Sequence, residues 1–320
     1  MLNAHVTEYL MPTGSRNVLL EQIGDGRIIK RFYLTPTPRK EIDIVCPHFL
    51  ELKWAYGCPF DCAWCYLQGT MRFYPAGKKP TYRSYDTIEA HVKRFFRVKY
   101  PNVKEVLNTG EVADSLMSEH TRNPFSKFII PLFETQNKHE VLFLTKSVYV
   151  NNLLDINPHR QTIMSFSLNA EPVSKKWEKA PLVQERIRAA KKVFDAGYET
   201  RIRIDPIVPY PENEWQRHYK SLIDQVFSEF RPERITLGSL RGLQTTINAA
   251  KDKSWIEYLS ESSKWGKRVS FKLRKESFAT LIDYLEEQYG FEKVAICKEP
   301  VQMWESLGLN WRICKCNCTL

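Results

Sequence analysis

The hydrophobic pattern changes period repeatedly along the chain. His48-Phe49-Leu50-Glu51-Leu52-Lys53-Trp54-Ala55-Tyr56 alternates like a strand, and Gly57 and Pro59 then break it into a loop. Further strand patterns run over Val103–Thr109, ended by Gly110 and Glu111, then Val141–Lys146, Thr162–Leu168, Arg201–Ile207 and Arg234–Leu237, ended by Gly238. Helical stripes lie between them. Ile88, Val92, Phe95 and Phe96 follow a capping-box pattern at Asp86 and Glu89. Phe125–Phe133 reads as a helix interrupted by Pro131. Pro181 opens a helix striped by Val183, Ile187, Ala190 and Phe194 and stopped by Gly197. Trp215, Tyr219, Leu222 and Val226 stripe the next. Six strands separated by helices predict a parallel α/β sheet with crossovers.

This alternating region spans residues 48–240. Residues 1–47 form an N-terminal extension, with a turn at Gly24-Asp25-Gly26, a strand over Ile28–Tyr33 and an extended linker at Thr35-Pro36-Thr37-Pro38. Residues 241–320 form an appended region. Phe278, Leu281, Ile282, Leu285 and Tyr289 stripe a helix there, and Lys293–Cys297 predicts a last strand.

Composition narrows the class. A hydrophobic fraction of 43% over 320 residues suits a globular core. No apolar run has the roughly 18 residues of a membrane span, and Met1-Leu2-Asn3-Ala4-His5 lacks the form of a signal peptide. The expectation is a soluble, cytoplasmic protein. The net charge of +10 is uneven: residues 72–104 carry +7 and residues 264–275 carry +6. Concentrated positive charge suits a phosphate backbone, although solvated lysine faces would look the same.

The eight cysteines carry the chemistry. Three lie at 58–65 and three at 314–318. Cys58, Cys62 and Cys65 are spaced C-x3-C-x2-C on a loop just past a strand's carboxyl end, where α/β folds place active sites. Three thiolates leave one coordination position of a metal centre open, which separates a reactive site from a structural one. A zinc knuckle would show a second C-x2-C pair nearby, and none is present. Cys46 is isolated. Cys314, Cys316 and Cys318 alternate, so in an extended chain their thiols share one side. With Cys297 they make four soft ligands, enough for a second iron–sulfur cluster or zinc. The alternatives are free thiols on a frayed terminus, or a tail folded over the barrel mouth with one thiol as hydrogen-atom donor.

The cysteine run continuing as Cys65-Tyr66-Leu67-Gln68, with Val141–Lys146, Phe166-Ser167-Leu168-Asn169-Ala170 and Ala189–Tyr198, resembles the radical S-adenosylmethionine (SAM) enzymes of the spore photoproduct lyase superfamily. The resemblance covers roughly residues 48–275. It implies a partial (β/α)6 TIM-type barrel with N- and C-terminal extensions. It implies a 4Fe-4S cluster on Cys58, Cys62 and Cys65, SAM on the open iron, and an electron donor such as flavodoxin or ferredoxin. SAM contacts would come from Tyr66, Gly110, Glu111, Lys146 and Ser167, with Asn169 and Arg203 as further candidates. The implied substrate is a modified or damaged thymine-type base in DNA. Lys267, Arg268, Lys272 and Arg274, behind Trp265, resemble the segment that approaches DNA. One position departs from the pattern: Asn108 stands where the lyase carries its hydrogen-donor cysteine. That departure favours a base-modifying or isomerising reaction, such as thymine hypermodification, or a non-nucleic substrate.

Overall fold

The computed structural model describes residues 2–32, 37–99, 103–264 and 266–320. Tyr33, the Thr35-Pro36 part of the expected linker and Trp265 lie outside the described residues.

Ten strands form one sheet. Its centre is parallel and runs in chain order: Leu50–Leu52, Val106–Asn108, Glu140–Thr145, Thr162–Leu168, Glu199–Ile207, Ile235–Ser239 and Val294–Ile296. The first six are the six expected strands, and the seventh comes from the appended region. Three antiparallel strands of the N-terminal extension, Ala4–Leu10, Arg16–Ile23 and Ile29–Arg31, continue the sheet from Leu50–Leu52. Arg31 locks this extension down. It is buried, donates from Nε to the Leu20 carbonyl at 2.7 Å, and ion-pairs with Glu105. The sheet curls into a partial barrel. The segment between the extension and the first barrel strand meets the segment after the last one, with Val45 N donating to Glu299 O at 2.9 Å and Val301 N to Asp43 O at 3.0 Å.

The helices cover the outside, as the stripes predict. Tyr85–Phe96 buries Ile88, Val92 and Phe95. Val183–Asp195 buries Ile187, Ala190 and Val193, while Phe194 at the stripe's end stays partly exposed. Trp215–Glu229 buries Tyr219, Leu222 and Val226, and Phe271–Tyr289 buries Phe278, Leu281 and Leu285. Two local details differ from expectation. Ser84 is the N-cap of the first helix, so Asp86 sits in the first turn and the Asp86–Glu89 capping box does not form. Pro131 lies inside a continuous helix, Phe125–Phe133, near its end, where few backbone bonds are lost. No helix of the described residues is long and apolar enough to cross a membrane.

The inside of the barrel is less apolar than its outside. Val106, Leu142 and Ile163 form a small separate apolar cluster. Other positions on that face, among them Glu51, Asn108, Ser165, Ser167, Arg201, Arg203 and Thr236, are polar. They receive the segment 314–320. Asn317 Nδ2 donates to Ser165 Oγ at 2.7 Å and to the Ile202 carbonyl at 3.0 Å. Its Oδ1 accepts from Thr236 Oγ1 at 2.8 Å, and its main-chain N donates to the same oxygen at 2.9 Å. Arg201 donates to the Asn317 carbonyl at 2.9 Å, and Arg234 to the Cys316 carbonyl at 3.2 Å. Three strands thus bind one amide side chain that is 1% exposed.

Asn317→Ala removes the carboxamide bonds to Ser165, Thr236 and the Ile202 carbonyl together; Thr236 Oγ1 keeps the main-chain bond from position 317, and the Ile202 carbonyl keeps its place in the strand ladder. At about 1–3 kcal/mol per orphaned buried group, partly relieved by relaxation, the expected loss is roughly 2–4 kcal/mol. Denaturant unfolding monitored by tryptophan fluorescence measures it.

Candidate active site

A cavity of about 1030 Å³ opens at the carboxyl ends of the parallel strands, and Cys58, Cys62 and Cys65 all line it. Their loop is held from three directions. Gly57 has φ +90°, and a Cβ there would sit 2.5 Å from the Lys79 carbonyl, so the turn requires glycine. Cys58 N donates to Lys78 O at 3.0 Å, and Ala63 N to Trp177 O at 2.8 Å. Gln68 Nε2 donates to the Cys62 carbonyl at 2.7 Å. Lys78 reaches back to the Phe60 carbonyl and to Asp61 Oδ1, the latter at 3.2 Å. Burial raises all three thiols, Cys62 to about 12. Neutral thiols of this kind become thiolates on binding a cation.

The next residue is Tyr66. Its hydroxyl is buried with no hydrogen-bond partner, and burial pushes its pKa well above the usual value. An orphaned neutral hydroxyl on a cavity wall is a group waiting for a ligand. Gly110 and Glu111 line the same cavity. A Cβ at Gly110 would stand 2.5 Å from that of Leu144, so the close approach of these two strand ends depends on glycine. Asn108 Oδ1 accepts from Gly110 N at 2.8 Å and fixes that turn. Glu111 faces Lys298 Nζ at 4.0 Å. Ser167 and Arg203 sit side by side in register on adjacent strands, and both line the cavity.

Lys146 also reaches the cavity, but it is already paired with Glu178. Glu178 is fully buried and takes Arg186 Nη2 at 2.8 Å as well. Burial alone would raise its pKa; Lys146 and Arg186 together overcome that and hold it down to about 2. A second buried network closes another part of the wall. Asp205 Oδ2 accepts from Arg203 Nη2 at 2.6 Å and from Arg241 Nη2 at 3.0 Å. Burial opposes the Asp205 charge, and the two guanidiniums outweigh it, keeping its pKa well below the carboxylate range. Gly238 makes room, because a Cβ there would meet the Asp205 carboxyl carbon at 2.4 Å.

Two expected contacts are corrected. Asn169 does not line the cavity. It is fully buried, donating to the Pro206 carbonyl at 2.9 Å and accepting from the Tyr219 hydroxyl at 2.8 Å, so it ties two strand ends together and has no group left for a cofactor. Arg274 is 1% exposed and held by Glu299 and Glu261, so it cannot meet DNA. Arg268 is half-buried and donates to Glu261 Oε1 at 2.6 Å. Lys267 and Lys272 remain exposed cations. Glu178, Asp205, Arg241 and Lys298 were not singled out from the sequence. Each has at least one partner remote in the chain: Lys146 for Glu178, Arg241 and Asp205 for each other, and Glu111 for Lys298.

Asn108 is 1% exposed, and its Nδ2 points at the Cys318 sulfur, 3.7 Å away. The tail thiol therefore stands against position 108 inside the barrel. Cys46, Cys297, Cys314 and Cys316 line the same cavity.

A three-cysteine loop at the mouth of a partial parallel α/β barrel, beside a glycine-tightened strand end, defines a radical SAM type of site. The comparisons with known proteins narrow it. A family model described as spore photoproduct lyase matches residues 49–240. The chain belongs to the spore photoproduct lyase family. It is 29% identical over 180 residues to the spore photoproduct lyase of Bacillus subtilis (strain 168), covering 55% of this chain and 50% of that protein. It is 28% identical over 176 residues to that of Geobacillus sp. (strain Y412MC61), covering 54% and 49%. The chain thus spans about half the length of the curated relatives it matches. Among solved structures, a spore photoproduct lyase complexed with dinucleoside spore photoproduct superposes with a TM-score of 0.65 at 21% identity, covering 77% of this chain and 75% of that one. A double mutant with bound AdoMet and dinucleoside spore photoproduct gives 0.63 at 20%, covering 81% and 79%. The family implies a 4Fe-4S cluster and SAM. The residues here fit both: three free thiols on one loop, an orphaned tyrosine hydroxyl, and a glycine-lined strand end with a carboxylate.

The Glu178 network sets a pH dependence. The carboxyl titrates near 4.5 unfolded and about 2 folded, so the unfolded chain binds the extra proton and stability rises with pH across that window. The contribution, on the order of 3 kcal/mol, is full above about pH 4.5 and is lost as pH falls toward 2. Unfolding free energies of the native protein and Glu178→Gln should differ most at neutral pH and converge in acid.

Proposed function

We propose that this protein is a radical SAM enzyme that acts on a modified or damaged thymine-type base in DNA. The observation that carries the reading is the convergence of Cys58, Cys62, Cys65, Tyr66, Gly110 and Glu111 on one cavity within the matched family region. When bound, the cluster and SAM supply a 5′-deoxyadenosyl radical, with the electron coming from a donor such as flavodoxin or ferredoxin.

The chain's own residues supply position and exclusion of water. Cys58, Cys62 and Cys65 would hold the cluster. Glu111 would accept from the SAM ammonium beside the Gly110 main chain, and Ser167 and Arg203 would contact the cofactor from the adjacent strand ends. Lys146, ion-paired with Glu178, would face the SAM carboxylate. Tyr66 would donate its unpartnered hydroxyl. The cavity exceeds the upper end of the about 300–1,000 Å³ common for one small ligand, which suits a cofactor and a base together. A base must leave the helical stack to enter it. The solved spore photoproduct lyases that hold a dinucleoside spore photoproduct support a substrate of this class.

A second reading is favoured by Asn108. An amide has no weak S–H bond to give, so a reaction that returns hydrogen from 5′-deoxyadenosine, as in base modification or isomerisation, needs nothing from this position.

Anaerobically reconstituted protein should carry a four-iron cluster and cleave SAM to 5′-deoxyadenosine. Cys62→Ala should lose both completely; full SAM cleavage in that variant would sink the reading. Iron analysis and chromatography of the nucleoside products provide the measurement.

If the exposed cations of the basic segment meet phosphates, Lys267→Glu with Lys272→Glu should weaken DNA binding and lower the salt slope by roughly one per lost contact. SAM cleavage without substrate should not change. Affinity measured across a salt series tests this, and an unchanged slope would remove the segment from the DNA interface.

A further inference from the structure

The tail and the last parallel strand bring four thiols to one wall of the cavity. Cys297 directly follows the strand Val294–Ile296, and Cys314, Cys316 and Cys318 come from the tail. Cys316 and Cys318 are buried, and Cys297 and Cys314 are half-buried. None of the four is in a disulfide.

The polar groups around these sulfurs are almost all donors. Arg203 Nη2 lies 3.2 Å from Cys297 Sγ and its Nη1 lies 4.0 Å from Cys318 Sγ. Arg241 Nη2 approaches Cys297 Sγ at 3.7 Å, and Asn108 Nδ2 approaches Cys318 Sγ at 3.7 Å. N–H groups aimed at sulfur from several sides are the outer shell of a metal thiolate, where they offset negative charge and orient the ligands. Two buried guanidiniums against one carboxylate, Asp205, leave net positive charge facing the sulfurs. A lone hydrogen-atom donor would need one thiol and no such shell.

The backbone that carries the ligands is fixed in advance. Asn317, between Cys316 and Cys318, is bound by Ser165, Ile202, Thr236 and Arg201, and Arg234 holds the Cys316 carbonyl. Among the described residues no three such side chains already close on a single ion. Binding would therefore rotate the cysteine side chains about a fixed main chain. We propose that Cys297, Cys314, Cys316 and Cys318 form a second metal centre, held by four thiolates on the cavity wall that faces Cys58, Cys62 and Cys65. The ligand chemistry admits zinc or an iron–sulfur cluster, and both need four soft donors. The proposal does not depend on SAM chemistry, so the two can fail separately.

The test uses the full chain with Cys58, Cys62 and Cys65 all changed to Ala, prepared anaerobically in one arm with zinc and in the other with iron and sulfide. One arm should retain a stoichiometric centre by elemental analysis. Adding Cys316→Ala and Cys318→Ala should abolish it. The unaltered protein gives a second measurement independent of how the variants fold. It should hold more metal than one four-iron cluster accounts for, and its tail thiols should resist alkylation until a chelator and denaturant are added. Metal limited to one four-iron cluster in the unaltered protein would overturn the proposal. So would a metal-free triple variant that melts like the unaltered protein. If Cys318→Ala alone stops turnover, leaves SAM cleavage intact and changes no metal content, the tail is a hydrogen-atom donor and the metal proposal is likewise overturned.

Discussion

A barrel whose inward strand positions are polar must be filled by something that satisfies them. Here the side chains of Ser165, Arg201 and Thr236 meet the tail and are almost wholly buried. Left unpaired, each would cost on the order of 1–3 kcal/mol. The segment around Asn317 satisfies them together, with one carboxamide that both donates and accepts. The same insertion fixes where Cys316 and Cys318 stand, because they flank Asn317 in the chain. Filling the barrel and furnishing its wall are one act of the same few residues.

The cavity above that plug is shaped by two buried charge networks. Glu178 with Lys146 and Arg186 braces one part of the wall, and Asp205 with Arg203 and Arg241 braces another, at the end of the next strand. Pairs of this kind are weak evidence for net stability, because desolvation offsets their attraction. Their effect is positional. Removing one partner strands a buried charge, so each geometry is held tightly once formed. Lys146 and Arg203 therefore present their cationic heads to the cavity in fixed places rather than as mobile surface groups.

Legibility from sequence followed the range of the forces involved. The six strands, the outer helices and the cysteine loop were readable because period, glycine and proline act within a few residues. The loop's pinning by Lys78 and Trp177 was not, because those partners are reached only after folding. Arg274 shows the limit clearly. In sequence it belongs to an acid-free basic run, yet Glu299 and Glu261 are folded against it, and the run's apparent charge is partly cancelled. Asn169 fails for the same reason: its strand end looked available, while Tyr219 from a later helix occupies it. The tail's alternating cysteines were legible as a cluster of thiols. That they enter the barrel follows from Asn317 and its three strands, which no spacing reveals.

The family match ends at residue 240, and the barrel does not. Its seventh parallel strand, Cys297, Lys298 and the whole thiol-bearing tail come from beyond that point. Lys298 adopts φ +53°, a strained conformation for a residue with a side chain, and so turns its ammonium toward Glu111 and the Phe32 ring. One part of the cavity is thus built from residues within the family match, and another from residues outside it. The first part carries the thiols and the strand end that suit a cluster and SAM. The second meets it at Asn108, where a matched strand contributes an amide and the tail contributes the sulfur beside it. The chemistry at position 108 is therefore set jointly by residues within and beyond the family match, because the amide and the sulfur stand 3.7 Å apart.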